Sequence, residues 1–353
     1  MIKLFTPSFA DEGDTNAQNL SVKEIVARLD PDRVSVTMFH EGDAIDPRIS
    51  SRRNTTLVRW RSHGNTWRTA LRLMRNAPDV YFFPREGPLD KVFLDLRRRF
   101  RLKTALVPYI VTGGLYSGDY PEVRLRNIRE ADVVIANNHY LAELLDQKLD
   151  VTSAVIHDGV DRRIYFPPPV ARREGDSLTV LFAGSLRPYK RASLVVRQAA
   201  RWPDVRFRIA GVGEEEQLCK DLAAELKCAN VDFLGHLSQT QLGDEMRRAD
   251  IFFFPSILEG HPQVLLQAAA SGLAAVAMEI YRPDAIVDGL TGFLARNDFE
   301  LEERLGALLS NPALRISMSQ AAVAHIRNFD WDLIARQWRD AFERAVLKRR
   351  NPA

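Results

Sequence analysis

Short apolar, β-branched runs alternate along this chain with stretches whose apolar residues recur at helical spacing. In the first half the runs are 2–6, 34–39, 80–83, 105–111, 133–136 and 153–156, with helical patterns at 20–29, 67–75, 91–100 and 141–148 between them. Runs of this kind, separated by helices, predict parallel sheets covered by helices. Pro167-Pro168-Pro169 and the charged stretch as far as Asp176 read as a linker. The rhythm then restarts with runs at 179–183, 207–210, 231–234 and 251–254, closed by Gly184, Gly211, Gly235 and Pro255. Those closures predict loops gathered on the carboxyl edge of one sheet, where open α/β sheets bind ligands. A break at 328–330 precedes a closing helix from Trp331 to about Lys348. The expected class is α/β, with two Rossmann-like, doubly wound parallel-sheet domains facing across a cleft. Their expected bounds are 1–168 and 177–328, with 329–353 packing back toward the first domain.

With 353 residues there is chain enough for two cores, and 46% hydrophobic against 27% charged residues is an ordinary globular balance. A net charge of +3 is too small to imply a nucleic-acid partner. Its distribution says more. Between Arg48 and Lys103 fifteen Lys/Arg face four Asp/Glu, a block that suits phosphate, anionic lipid or simply solvent. Within it, 90–103 places Phe93, Leu96 and Phe100 on one face with Arg97 to Arg99 flanking. That pattern fits a helix resting on an anionic membrane, and equally one packed on a sheet with a basic outer face. Two cysteines, Cys219 and Cys228, form no disulfide framework and fit a reducing compartment. Met1 to Phe5 run straight into the first strand, so no secretory leader is expected. The weakly polar stretch 264–278 is interrupted by Gln267 and Ser271 and is too short for a membrane span. The expectation is a cytoplasmic protein, peripheral on the inner face of the membrane at most.

The segment Pro255-Ser256-Ile257-Leu258-Glu259-Gly260-His261-Pro262 ends a strand, carries an acid, and leads into a helix beginning near Pro262. Backbone N–H groups of Gln263, Val264 and Leu265 at such a helix start favour phosphate. Gln267 falls one turn further in and suits neutral hydroxyls. The plainer reading is a capped, buried helix whose acid faces solvent. The loop Gly184-Ser185-Leu186-Arg187-Pro188-Tyr189-Lys190-Arg191 brings cations to the end of another strand, which suits a diphosphate, although basic loops are commonly just solvated. Gly211-Val212-Gly213 begins like a dinucleotide fingerprint. It lacks the third glycine, and Glu214 to Glu216 would repel a pyrophosphate, so NAD(P) is rejected there. Asp30-Pro31-Asp32 and Asp330-Trp331-Asp332 read as a turn and a helix start, and no His/Cys spacing predicts a metal site.

Taken in order, Gly184 to Lys190, Phe207 to Gly211, Val231 to Gly235, Ala249-Asp250, Pro255-Ser256, Glu259-Gly260, Ala270-Ser271-Gly272 and Asp288-Gly289-Leu290-Thr291-Gly292-Phe293-Leu294 resemble the retaining glycosyltransferases of family GT4, which have the GT-B fold. Asp132 to Asn138, His157-Asp158-Gly159-Val160-Asp161 and Phe166-Pro167 resemble that family's first-domain segments. The resemblance implies a donor site in which Lys190 binds the diphosphate, Arg187 stands in for a companion arginine, and Glu259 lies near the donor sugar. It also implies a donor-binding surface that includes Gly184, Gly235, Pro262, Gln263, Val264, Leu265 and Gln267. Gln267 occupies the place of the family's second glutamate, keeping a carbonyl acceptor for ribose hydroxyls and losing the charge. In the first domain the usual glycine pair after strand one is reduced to Gly13, and Gly113-Gly114-Leu115-Tyr116 carries no histidine.

The activity so implied is transfer of a sugar from a nucleotide-sugar to a glycan, lipid-linked or small-molecule acceptor, without metal or other cofactor. The donor expected is a UDP-sugar, or alternatively a GDP-sugar. Front-face attack, with the departing phosphate taking the acceptor proton, suits a chain that offers no evident carboxylate nucleophile. Two alternatives stay open: a nucleotide-sugar epimerase of the same fold, and a non-catalytic sugar-nucleotide-binding protein.

Overall fold

The structure is a computed structural model and describes residues 1–12, 17–60, 66–82, 87–111, 115, 118, 120–168 and 177–351. Phe83, the loop around Gly13, Gly113-Gly114 with Tyr116, and the linker from Pro169 to Asp176 lie outside those residues. The chain divides into Met1–Asp158 with Trp331–Ala353, and Gly159–Asp330.

In the first unit, β1 (Ile2–Phe9), β2 (Val34–His40), β3 (Thr55–Arg59), β4 (Val80–Phe82) and β5 (Ala105–Val107) form one sheet in the order β3-β2-β1-β4-β5. Every pairing in it is parallel. The run 105–111 does not continue as one strand. Pro108 has no N–H to give a ladder, and beyond it β6 (Tyr109–Ile110) joins β7 (Ile135–Ala136) and β8 (Ala154–Val155) in a separate parallel sheet. β3 is an addition to the sequence reading. Its Thr-Thr-Leu-Val-Arg composition is half polar because it is an edge strand, buried on neither face.

The closing helix Trp331–Arg350 belongs to this first unit. Trp331, Ile334, Trp338, Ala341, Phe342 and Ala345 recur at helical spacing and are all buried. The Trp338 ring lies 4.8 Å from Phe82 and 4.8 Å, edge-on, from Tyr109. Ion pairs from Arg28 to Asp332 (2.9 Å) and from Arg33 to Glu343 (3.0 Å) flank the seam.

Of the two arrangements open for 90–103, the helix Pro88–Arg99 takes the one packed on the sheet. Phe93 is fully buried and stacks on Tyr81 at 5.0 Å, because a crossover helix turns its apolar stripe onto the sheet. Arg97 is buried too, donating to the Thr104 carbonyl (2.8 Å) and to Asp132 (2.7 Å), while Leu96 is half-buried. Of the three aromatic and aliphatic residues proposed for that face, Phe100 alone is exposed. Among the described residues, no helix is long and apolar enough to cross a membrane.

The second unit is a six-stranded sheet of β9 (Thr179–Ala183), β10 (Arg206–Ala210), β11 (Val231–Gly235), β12 (Ile251–Phe254), β13 (Ala274–Met278) and β14 (Gly292–Ala295). Their order is β11-β10-β9-β12-β13-β14, all parallel. From β9 the chain winds outward through β10 to β11, then returns to the other side of β9 as β12. The carboxyl ends of β9 and β12 therefore border the point where the winding reverses. β13 is alanine-rich and wholly buried, which hid it within the apolar stretch 264–278.

This unit begins earlier than the boundary expected at 168. Val160 N–H donates to the Phe329 carbonyl (3.0 Å), Arg247 lies 4.2 Å over the Phe166 ring, and Pro167 packs beside Gly272. The segment after Asp158 is thus bound to the second unit, and the proline run follows it rather than preceding it.

Candidate functional site at the switch point of the second sheet

Two loops leave the carboxyl edge at the switch point, one after β9 and one after β12. The first makes a single 3-10 turn, Pro188–Lys190. Pro188 presets its φ, and Arg191, in the left-handed region at φ 58°, ends it. This places Lys190 at the tip of a short, constrained element. The second loop is fixed to the first at one carbonyl. Tyr189 O accepts from the Ile257 N–H (3.0 Å) and lies 3.3 Å from the Ser256 hydroxyl oxygen.

That junction brings Lys190 and Glu259 together, sixty-nine residues apart in sequence: Lys190 Nζ lies 2.5 Å from Glu259 Oε1. Ser256, fully buried, donates to the same Oε1 at 2.5 Å. Both bonds fall on Oε1, and no bond to Oε2 is made by the described residues, which suits that oxygen to a hydroxyl of a ligand. An ammonium carries three donors, so one used on Glu259 leaves two for phosphate oxygens. The Lys190 Nζ also sits 5.1 Å from the Phe254 ring and 5.6 Å from that of Tyr189, close enough for cation–π attraction to hold it. Side-chain exposures of 14% and 11% make this a pair shielded from water but still reachable.

The other expected donor-site residues are placed as follows. Gly184 lies against the Lys190 stem, and a Cβ there would meet Lys190 Cδ at 3.8 Å. Arg187 is exposed on the same loop and makes no ion pair among the described residues; the structure does not bring it to Glu259. Arg191 is held instead by Asp298, at the start of the helix Asp298–Ser310. Gly235 ends β11, two strands away from β9, and its carbonyl accepts from the Gly211 N–H (2.7 Å).

The helix after the acid loop is Gln263–Ala270, one residue later than the expected start, with Pro262 as its N-cap in extended conformation. Of the three amides proposed for phosphate, that of Leu265 is taken by the Pro262 carbonyl (3.0 Å). Gln263 and Val264 hold the first-turn positions, where no intrahelical carbonyl precedes the N–H. Gln267, half-buried, lies one turn beyond Gln263 on the same face.

The glycines of Gly211-Val212-Gly213 have a structural explanation. Gly211 takes φ +140°, and a Cβ on it would stand 1.8 Å from the Gly184 carbonyl oxygen; one on Gly213 would stand 2.4 Å from that of Leu186. The Val212 carbonyl accepts from Leu186 N–H (2.9 Å), and Leu186 O accepts from Glu215 N–H (2.9 Å). These glycines let two neighbouring loops touch backbone to backbone.

Two residues of the site were not anticipated as such. Ser256 carried a usable signal, lying three residues before Glu259 in the same loop. Tyr281, four residues past the point where β13 pairs with Phe254, carried none. Tyr281 is 2% exposed, and its hydroxyl hydrogen finds no acceptor among the described residues. Burial, then the neighbouring Glu259 carboxylate, push its phenol well above the ordinary range, and the Met278 backbone offsets this only in part. Tyr281→Phe is therefore expected to raise the stability of the ligand-free protein by about 1 kcal/mol, measured by denaturant unfolding. A loss of stability in that variant would show the hydroxyl to be bonded in the folded protein.

Residues 168–325 match the family described as glycosyl transferases group 1. A D-inositol 3-phosphate glycosyltransferase of Mycobacteroides abscessus is 30% identical over 262 residues, which are 67% of this chain and 59% of that protein. The protein of the same name from Streptomyces griseus is 29% identical over 291 residues, 69% of this chain and 61% of its own. The chain thus spans about 60% of the length of the curated relatives it matches. Among solved structures, a sucrose-phosphate synthase from Thermosynechococcus elongatus superposes with a TM-score of 0.81 at 17% identity, covering 97% of this chain and 98% of the other. Anabaena HepE, solved in complex with UDP and glucose, gives 0.76 at 18% identity, covering 97% and 100%. At these identities the superpositions speak to the fold, and they do so over both units. By the matched domain, the curated relatives and the shared fold, the chain belongs to the group 1 glycosyltransferases and has the GT-B fold.

Proposed function

We propose that the protein transfers a sugar from a nucleotide-sugar to an acceptor hydroxyl, with retention at the anomeric carbon and without a divalent metal. The observation that carries this reading is the Lys190–Glu259 pair, set at the switch point of the sheet beside the start of a helix. A cation and an acid so placed address the two halves of such a donor. Lys190 offers its remaining N–H groups to the diphosphate, and the exposed Arg187 supplies a second charge as the leaving group turns negative. The amides of Gln263 and Val264 take phosphate oxygens, Glu259 Oε2 accepts from the sugar, and Gln267 bonds the ribose.

In the reaction the acceptor oxygen bonds to the anomeric carbon on the face from which the diphosphate departs. The bond from that carbon to the phosphate oxygen breaks, and the acceptor proton passes to the departing phosphate. Glu259 suits an orienting role in this scheme, because Lys190 and Ser256 already hold one of its oxygens. The donor proposed is a UDP-sugar, with a GDP-sugar as the alternative; HepE, of the same fold, was solved with UDP. The acceptor is a glycan, a lipid-linked sugar or a small molecule, and the site of action is the cytoplasm.

Thermal unfolding with UDP, GDP, ADP and dTDP tests the donor. One nucleotide, UDP on this reading, is expected to stabilise the protein by about 2.7 kcal/mol at a hundred times its Kd. Sugar transfer from the matching donor is expected to survive EDTA. The reading fails if no nucleotide shifts the transition and no donor is consumed, and its metal-free part fails if EDTA abolishes turnover that a divalent ion restores.

A further inference from the structure

We infer that the outer face of the helix Thr66–Arg75 docks on an anionic lipid surface. Ala70 and Leu73 turn inward, into a cluster with Phe5, Phe39 and Tyr81. The opposite side carries a second apolar strip, which none of the described residues of the first unit covers: Trp67 is 62% exposed and Leu71 40%, at a spacing of four. Beside that strip stand Arg68, Arg72 and Arg75, all exposed. At 100° per residue these five side chains share one arc of about 140°.

The arginines differ from most of their neighbours. Arg28, Arg33, Arg53, Arg59, Arg98, Arg126 and Arg129 all have carboxylate partners within the first unit. Arg68, Arg72 and Arg75 have none among the described residues, and their helix contains no acid. The helix Pro88–Arg99 packs beside this one, and its exposed Asp95 is already held by Arg98. That neighbour ends with exposed Phe100 between exposed Arg99 and Arg101, adding an apolar group and two cations.

Unpaired arginines call for an anionic partner. The Trp67–Leu71 strip selects which kind. A soluble polyanion would pair the arginines and leave that strip in water. The boundary between headgroups and acyl chains satisfies both, since an interfacial helix sinks its apolar side while arginines remain at headgroup depth, and Trp favours that depth. The strip is also distinct from the 90–103 face read from the sequence, whose Phe93 lies in the core.

The test is co-sedimentation of the whole protein with phosphatidylcholine vesicles, with and without phosphatidylglycerol, alongside tryptophan fluorescence. Binding is expected only where phosphatidylglycerol is present, with a blue shift that Trp67→Phe removes while still pelleting. Replacing Arg68, Arg72 and Arg75 together by Gln is expected to weaken binding about a hundredfold at low salt, with the melting temperature unchanged. The inference is overturned by equal binding to neutral vesicles, by no binding at all, or by a triple variant that pellets like the wild type. It is overturned equally if Arg99→Glu with Arg101→Glu alone abolishes binding while the triple variant retains it. Protein that binds dextran sulfate but ignores both kinds of vesicle assigns the face to a soluble polyanion instead.

Discussion

Lys190→Ala is expected to lower the turnover of a confirmed nucleotide-sugar donor by about 10²- to 10³-fold, or roughly 2.7–4 kcal/mol of transition-state stabilisation. The lysine holds its place before any donor arrives. Glu259, Phe254 and Tyr189 fix the ammonium, so little reorganisation is needed as charge builds on the departing diphosphate. A change that removes charge stabilisation only in the transition state lowers kcat and kcat/KM together. Lys190→Arg keeps the charge but spreads it over a planar fork, and should recover only part of the rate. Folding is read separately. In the alanine variant Ser256 still donates to Glu259 Oε1, so the melting temperature is expected to fall by only a few degrees. Arg187→Ala should cost less, since that side chain is exposed and unfixed by any ion pair among the described residues. Wild-type turnover in Lys190→Ala would remove Lys190 from the donor site.

Gly211→Ala should instead damage the fold, by at least about 3 kcal/mol in denaturant unfolding of the second unit. Its φ of +140° is strained for any L side chain, and its Cβ would overlap the Gly184 carbonyl at 1.8 Å. Neither atom is the end of a flexible group, so the strand ends of β9 and β10 must part. Gly184→Ala makes the informative contrast. The nearest atom to a Cβ there is 3.6 Å away, in ordinary contact range, so its stability should change by no more than about 1 kcal/mol. A large loss of donor binding in a stable Gly184→Ala protein would show that this glycine admits ligand. If Gly211→Ala stayed within about 1 kcal/mol of the wild type, the backbone contact between the two loops would not be what that glycine serves.

The two glycines also show what was legible in the sequence and what was not. Both were visible as strand closures; that a Cβ on Gly211 would strike the Gly184 carbonyl depends on how two loops distant in sequence meet. Four strands of the second sheet were readable because each holds a short apolar run with glycine or proline at or just past its end. β13 was missed because five buried residues, three of them alanine, lack the β-branched character that marks a strand. The Lys190–Glu259 pair could be suspected from strand-end position, but its contact depends on Tyr189, whose carbonyl joins the loops and leaves no pattern in the residues nearby. Helical spacing finds the stripe within 90–103, yet it does not say whether that stripe meets the sheet or a surface; the structure turns Phe93 onto the sheet.

The closing helix has a consequence for how the molecule comes into being. Its Trp338 and Phe342 complete the packing over Phe82 and Tyr109, yet they are synthesised after the whole of the second unit. On the ribosome the order of completion is thus reversed from the usual one. The later-made sheet can finish first, while the earlier one waits with an aromatic surface uncovered until Trp331–Arg350 emerges. That waiting interval, rather than any weakness in the finished protein, is where a nascent chain of this design most needs a chaperone's protection. Losing the final helix should therefore leave the second unit able to fold and strand the first as an insoluble intermediate.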